Sequence, residues 1–159
     1  YGTETMHLLR AEKGYIIVGQ DTDGTVTPLD LNLNWMIGKN KNDFIGKRSL
    51  SRSDIIKSDR KQLVGLVPID KTYGIEEGQH VIEEEDLNTP IKNPVKMLGQ
   101  VTSSYFSPTL NHSVAMALIK GGNRKIGRQL FVSTSNLNTI AVEVVKPNFI
   151  DSENRRLKS

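Results

Sequence analysis

The spacing of hydrophobic and polar positions changes character near residue 60. Before it, apolar residues recur at helical intervals or in short isolated runs. Residues 3–13 are predicted to form a helix, capped by Thr3, with Glu4 in the first turn and Gly14 as the stop. Met6, Leu9 and Lys13 share one face with Leu8 beside it, a modest apolar stripe. Tyr15-Ile16-Ile17-Val18 is a short, strand-like run ended by Gly19. Pro28 opens a helical turn, and Trp35-Met36-Ile37 reads as extended or buried up to Gly38. Asp43 is expected to cap a second helix from Phe44 to about Ile56. Its apolar positions are Phe44, Ile45, Leu50, Ile55 and Ile56, opposite Lys47, Arg48 and Arg52.

After residue 60, short strands with turn signals take over. Leu63–Ile69 and His80–Glu84 are the first two. A third extended stretch starts at Asn93-Pro94 and runs to Phe106, where Ser107-Pro108 breaks it. Val114–Lys120 is almost entirely apolar and is therefore expected to be buried on both faces. Gly121-Gly122-Asn123 turns, and Gln129–Thr134 with Thr139–Val145 form a hairpin around residues 135–138. In the last strand Ile140, Val142 and Val144 alternate with Ala141, Glu143 and Val145, which makes one face strongly apolar. The predicted class is α+β: a short helical and extended segment (residues 1–60), then a small antiparallel β-barrel (61–150), then a loose polar tail (151–159).

Composition narrows this little further. The chain has 159 residues, enough for one domain, or one domain and a piece of another. With 36% hydrophobic and 25% charged residues it reads as globular and soluble. No apolar stretch approaches the ~18 residues of a membrane span, and the polar opening lacks the pattern of a signal peptide. The chain opens on Tyr1, as expected of a fragment of a longer protein. Cysteine is absent, which removes disulfides and thiolate chemistry and fits a reducing compartment such as the cytoplasm. The three histidines stand in no metal-ligand spacing, so no metal site is predicted.

The net charge of +3 is unevenly spread. Residues 39–61 hold eight Lys/Arg against three Asp, and residues 70–86 hold seven acids against Lys71. The basic runs hold one aromatic, Phe44, and not the repeated interleaving of a single-strand binder; they read as solvated faces, so neither nucleic acid nor membrane is an expected partner. Glu83-Glu84-Glu85-Asp86 does not converge if extended, because successive strand residues point to opposite faces.

Four residues stand out chemically. Arg10 and Glu12 lie two apart on the first helix and do not face each other. If both are buried, each needs a partner elsewhere, and structural anchoring is favoured over ligand contact. Tyr15 and Trp35 can each offer a flat face to a conjugated ring; core packing is the alternative for both. No nucleophile or phosphate-loop signature occurs, so no catalytic residue is assigned.

Several blocks together resemble the aminomethyltransferase family, the T-protein of the glycine cleavage system. They are Leu9-Arg10-Ala11-Glu12-Lys13-Gly14, Thr27-Pro28-Leu29 followed by Trp35, Asp43-Phe44-Ile45-Gly46-Lys47, Gly99-Gln100-Val101-Thr102-Ser103, Ser107-Pro108-Thr109-Leu110 and Val114-Ala115-Met116-Ala117. Tyr1-Gly2-Thr3-Glu4 and the run from Arg10 to Gly24 look most like the sarcosine oxidase alpha-subunit branch. Glycine cleavage enzymes usually carry an arginine at the position of Met6, which argues against that reaction. The resemblance implies the end of a middle folate-binding domain (1–60) and a whole C-terminal barrel. It implies tetrahydrofolate as acceptor of the one-carbon unit of oxidised sarcosine, giving 5,10-methylenetetrahydrofolate. NAD and flavins belong to the rest of such an enzyme, and its other subunits are the implied partners. Tyr15, aligned with a family aromatic, and Trp35 are the implied folate contacts. A stand-alone aminomethyltransferase, a dimethylglycine-type demethylating enzyme and a non-catalytic scaffold barrel are the alternatives.

Overall fold

The computed structural model describes residues 2–87, 95–134 and 138–158. Six strands, β1 (Lys61–Pro68), β2 (His80–Ile82), β3 (Gly99–Ser107), β4 (His112–Lys120), β5 (Gln129–Ser133) and β6 (Thr139–Val145), form a closed barrel. The order around it is β1-β4-β3-β2-β5-β6, with β6 returning to β1, and every pairing is antiparallel. Closure leaves no free sheet edge. The expected barrel is thus present. The expected start of the third stretch (93–94) and the tip of the hairpin (135–137) lie outside the described residues, while β5 and β6 pair from Gln129↔Glu143 to Ser133↔Thr139.

The alternation read in the last strand turns Ile140, Val142 and Val144 inward. They meet Val64, Leu66, Ala115, Ala117, Ile119, Leu130 and Val132 in the barrel interior. In β4, consecutive residues point to opposite faces, yet all from Ser113 to Ile119 are buried. Ala115, Ala117 and Ile119 face the interior. Met116 and Leu118 face outward and join Leu63 in a second cluster with Ala11 and Leu31. Ile16, Val26, Leu33, Tyr105 and Phe149 pack around that cluster. The N-terminal segment therefore lies over the outer wall of β1 and β4.

That segment starts with α1 (Thr3–Glu12). Thr3 is the first helical residue, and the cap position falls to Gly2, which has no side chain to bond with. The helix turns Ala11 and Glu12 toward the barrel, whereas the Met6 and Leu9 stripe faces solvent. Gly14 stops the helix as expected, at φ +71°. A Cβ there would fall 2.0 Å from the Pro147 carbonyl oxygen, so both conformation and space demand glycine. The close approach lets the amides of Phe149 and Ile150 donate to the Glu12 carbonyl, each at 3.0 Å.

Other local expectations differ. Residues 15–17 form no strand, and a turn follows at residues 18–21, in which the amides of Gln20 and Asp21 both donate to the Ile17 carbonyl. Trp35 and Met36 lie in an exposed 3-10 turn, Asn34–Met36, and are neither extended nor buried. The second helix shrinks to α2 (Lys47–Leu50). Its preceding residue, Gly46, sits at φ +96°, and Asp43 bonds the Phe44 amide without reaching the helix. Ile45 and Ile56 are exposed, so nothing rewards a longer helix there; short helices depend on tertiary packing. The segment expected as a loose tail is instead tied down. It holds α3 (Arg155–Lys158), and Lys13 Nζ donates to the Asp151 carbonyl and to Asn154 Oδ1, both at 2.8 Å.

Met116→Ala should lower stability by about 2–5 kcal/mol, because the site is enclosed by two layers. Ile45→Ala should stay within about 0.5 kcal/mol. Urea unfolding of both variants checks this contrast between the covered wall and the exposed segment.

Candidate functional site

The residues between α1 and β1 are held by two buried carboxylates. The first is Asp21, fully buried. Its Oδ2 accepts from Arg10 Nη1 at 2.6 Å and from the Ile17 amide at 2.9 Å. Its Oδ1 accepts from Thr102 Oγ1 and from Ser103 Oγ, each at 2.6 Å. A carboxylate has about four acceptor positions, and here each is used. Arg10 continues the network, donating through Nη2 to Ser103 Oγ at 2.8 Å and to the Tyr105 hydroxyl at 3.4 Å. Its guanidinium carbon lies 5.5 Å from the centre of the Tyr105 ring, within cation–π range. Removing either partner of such a pair costs about 3–5 kcal/mol, since the remaining charge is stranded.

Two consecutive hydroxyls meet one carboxylate oxygen because β3 is irregular. Its register against β4 shifts between Val101, opposite Ala117, and Ser103, opposite Met116. Thr102 is the extra residue of a β-bulge, which re-aims side chains that a regular strand would send to opposite faces.

The second carboxylate is Asp30, also buried. Arg60 grips it with two nitrogens, Nε to Oδ1 at 2.9 Å and Nη2 to Oδ2 at 2.6 Å. The Thr27 amide and hydroxyl donate to the same Oδ2. Burial alone would raise the Asp30 carboxyl. The Arg60 and Thr27 hydrogen bonds together outweigh it and hold the carboxyl below its ordinary value. The Asp30 carbonyl also accepts the Leu63 amide at 2.8 Å, which fastens this turn to β1.

Arg10 and Glu12 are the structural anchors that the sequence suggested. Glu12 is buried and accepts from Ser107 Oγ at 2.6 Å, on the same strand as the bulge. Tyr15 and Trp35 occupy different positions from a core. Tyr15 is 60% exposed and Trp35 73%. Neither lines the apolar groove of about 620 Å³ whose wall includes Leu33, Met36, Ile37, Phe44 and Leu50. The Tyr15 backbone is fixed on both sides: its amide donates to the Arg10 carbonyl at 2.8 Å and its carbonyl accepts from Arg10 Nη1 at 3.3 Å. In the acidic run, Glu83 pairs with Lys125. Sequence reading missed Asp21, Thr102, Ser103 and the Asp30–Arg60 pair. Asp21 stands in Asp21-Thr22-Asp23-Gly24, which carries the composition of an ordinary turn. Among the described residues, no helix is long and apolar enough to cross a membrane.

The pattern of the glycine cleavage T-protein C-terminal barrel domain matches residues 61–151, and that of the GCVT N-terminal domain matches residues 1–41. The chain belongs to the glycine cleavage T-protein family. It is 52% identical over 130 residues to the sarcosine oxidase subunit alpha of Corynebacterium sp. (strain P-1), covering 82% of this chain and 13% of that protein. Identity is 35% over 158 residues to the sarcosine oxidase subunit alpha of Rhizobium meliloti (strain 1021), covering 99% of this chain and 16% of that one. The aminomethyltransferase of Nitrosomonas europaea is 37% identical over 143 residues, 89% of this chain and 36% of the relative. The crystal structure of glycine cleavage system aminomethyltransferase T from Bartonella henselae superposes with a TM-score of 0.73 at 25% identity, over 92% of this chain and 38% of that one. This chain thus spans a small part of the alpha subunits and little more than a third of the aminomethyltransferases.

The depressed Asp30 carboxyl predicts a pH signature. Its folded value lies below the unfolded one of about 3.9, so its stabilisation is complete above that pH and is lost as pH falls through the folded value. Asp30→Asn should therefore be less stable than the parent at neutral pH, by a margin that shrinks below about pH 4. Urea midpoints measured from pH 7 to pH 2.5 test this; a margin independent of pH would contradict it.

Proposed function

We propose that the chain is the closing part of a sarcosine oxidase alpha subunit, contributing to a folate site that receives the one-carbon unit of oxidised sarcosine. The observation that carries this reading is the 52% identity to such a subunit over 82% of the chain. Met6, where glycine cleavage enzymes usually have arginine, favours it over a stand-alone aminomethyltransferase. The exposed apolar residues Met6, Leu9, Met36 and Ile45 fit a piece that the rest of a larger protein covers.

The residues present fit part of a folate site. Tyr15 offers an exposed aromatic face on a backbone held from both sides, which suits stacking against a conjugated ring. Trp35 offers a second exposed face on the turn after Leu33. Tetrahydrofolate, when bound, supplies the nitrogen that takes up the one-carbon unit. This chain's residues bind and orient it, and such positioning can supply much of a rate enhancement. The amine oxidation, with its flavin and NAD, belongs outside these residues, and the remaining subunits of a cytoplasmic assembly are the partners.

The complete enzyme should show sarcosine-dependent oxygen uptake with formaldehyde as product without folate, and less formaldehyde with tetrahydrofolate. Equal formaldehyde yield in both conditions would contradict the proposal. Tyr15→Ala should weaken folate binding by roughly tenfold or more, since stacking on an aromatic side chain is worth about 1–3 kcal/mol. Unchanged affinity would favour a barrel that only supports the fold.

A further inference from the structure

We infer that Asp21 is the positioning residue of the turn that presents Tyr15, and that the β3 bulge exists to hold it. The inference rests on the folate reading of Tyr15 and extends it to a residue with no exposure of its own.

Residues 15–20 leave the end of α1 and return at Asp21. Their own hydrogen bonds are few: Gln20 and Asp21 amides to the Ile17 carbonyl, and the Gly19 amide to Thr22 Oγ1 at 3.2 Å. Such a turn has little to fix its direction, because Ile16 is its one side chain packed on the outer-wall cluster and Val18 is open to solvent. Direction comes from the ion pair. Asp21 holds the Ile17 amide on one side of the turn, and Arg10 holds the Tyr15 carbonyl on the other. Arg10 and Asp21 in turn hold each other at 2.6 Å. The peptide groups flanking Ile16 are thereby clamped to a single buried charge pair.

The pair is referenced to the barrel, not only to the helix. Thr102 and Ser103 both donate to Asp21 Oδ1, which the extra residue of the bulge makes possible. Ser103 also accepts from Arg10, so it touches both members of the pair. Gln20 adds a contact from its side chain to the Thr102 carbonyl at 3.4 Å and to Glu77 Oε2 at 3.1 Å. The tyrosine face is therefore set relative to β3 through two hydroxyls and one carboxylate. Removing the carboxylate charge leaves the barrel ladder intact but loosens the link that aims the turn.

The test is a double-mutant cycle on folate affinity in the complete enzyme, with tetrahydrofolate as the titrant. Asp21→Asn should raise the Kd by tenfold or more, and should add no further loss in the Tyr15→Ala background. A Kd within twofold of the parent in Asp21→Asn, with Tyr15→Ala still impaired, overturns the inference and leaves the folate reading standing. Fully additive losses also overturn it, because Asp21 then acts by another route than Tyr15. No effect from either single substitution sinks the folate role of Tyr15 and the inference with it. Should Asp21→Asn fail to fold, Ser103→Ala removes one bond to each member of the pair and keeps both charges. It should raise the Kd about threefold, again without effect once Tyr15 is alanine.

Discussion

Both faces of β4 are apolar, and a closed barrel can bury only one of them. Ala115, Ala117 and Ile119 fill the interior, while Met116 and Leu118 project from the outer wall beside Leu63. Left in water, these side chains would forfeit roughly 1.5–3 kcal/mol each. The N-terminal segment meets this need with Ala11 from α1 and Leu31, with Ile16 and Val26 between them in the chain and Leu33 just beyond. Phe149 reaches the same cluster from the other end of the chain. Gly65, opposite Met116 in the β1–β4 ladder, leaves room for that ring: a Cβ there would lie 2.8 Å from it. The segment before residue 60 is thus part of the wall's burial, although helical spacing sets it apart in the sequence.

Covering an apolar surface is non-directional, and hydrophobic contact alone would let the segment slide. Polar groups supply the register. Asp21 docks on the β3 bulge, Glu12 on Ser107, and Asp30 on β1 through the Leu63 amide. Each carboxylate is buried, and each has hydrogen-bond donors placed by a strand or by a neighbouring arginine. The outcome is a segment whose exposed surface, Tyr15 included, keeps a defined position over the barrel.

Much of the barrel is legible from local pattern. β6 shows its inward face as Ile140, Val142 and Val144, and the doubly buried β4 shows itself by the absence of alternation. Those signals are local, and the barrel obeys them. The polar anchors are not local: Asp21 meets Thr102 and Ser103 from 81 and 82 residues away. In sequence it is one more aspartate in a turn. That a buried Arg10 needs a partner is visible in the sequence, but Asp21 carries no mark of that role among the turn residues around it. The Met6–Leu9 stripe misled, since helical periodicity reveals an apolar face without saying what covers it. Tyr15 and Trp35 stand out in the sequence by family resemblance and aromatic chemistry, and their exposure sets them apart from the core.

The central claim is that the segment before residue 60 and the barrel form one cooperative unit, joined over β4 and fixed at Asp21. Native-state hydrogen exchange tests it most directly. The Ile17 amide, which donates to the Asp21 side chain, and the Phe149 amide, which donates to the Glu12 carbonyl, report the junction. The amides of Leu66 and Val142 report the barrel. The account predicts that all four exchange through the same global opening, with equal free energies. Rapid exchange at Ile17 and Phe149, while Leu66 and Val142 stay protected, would show a segment that detaches on its own and would contradict it.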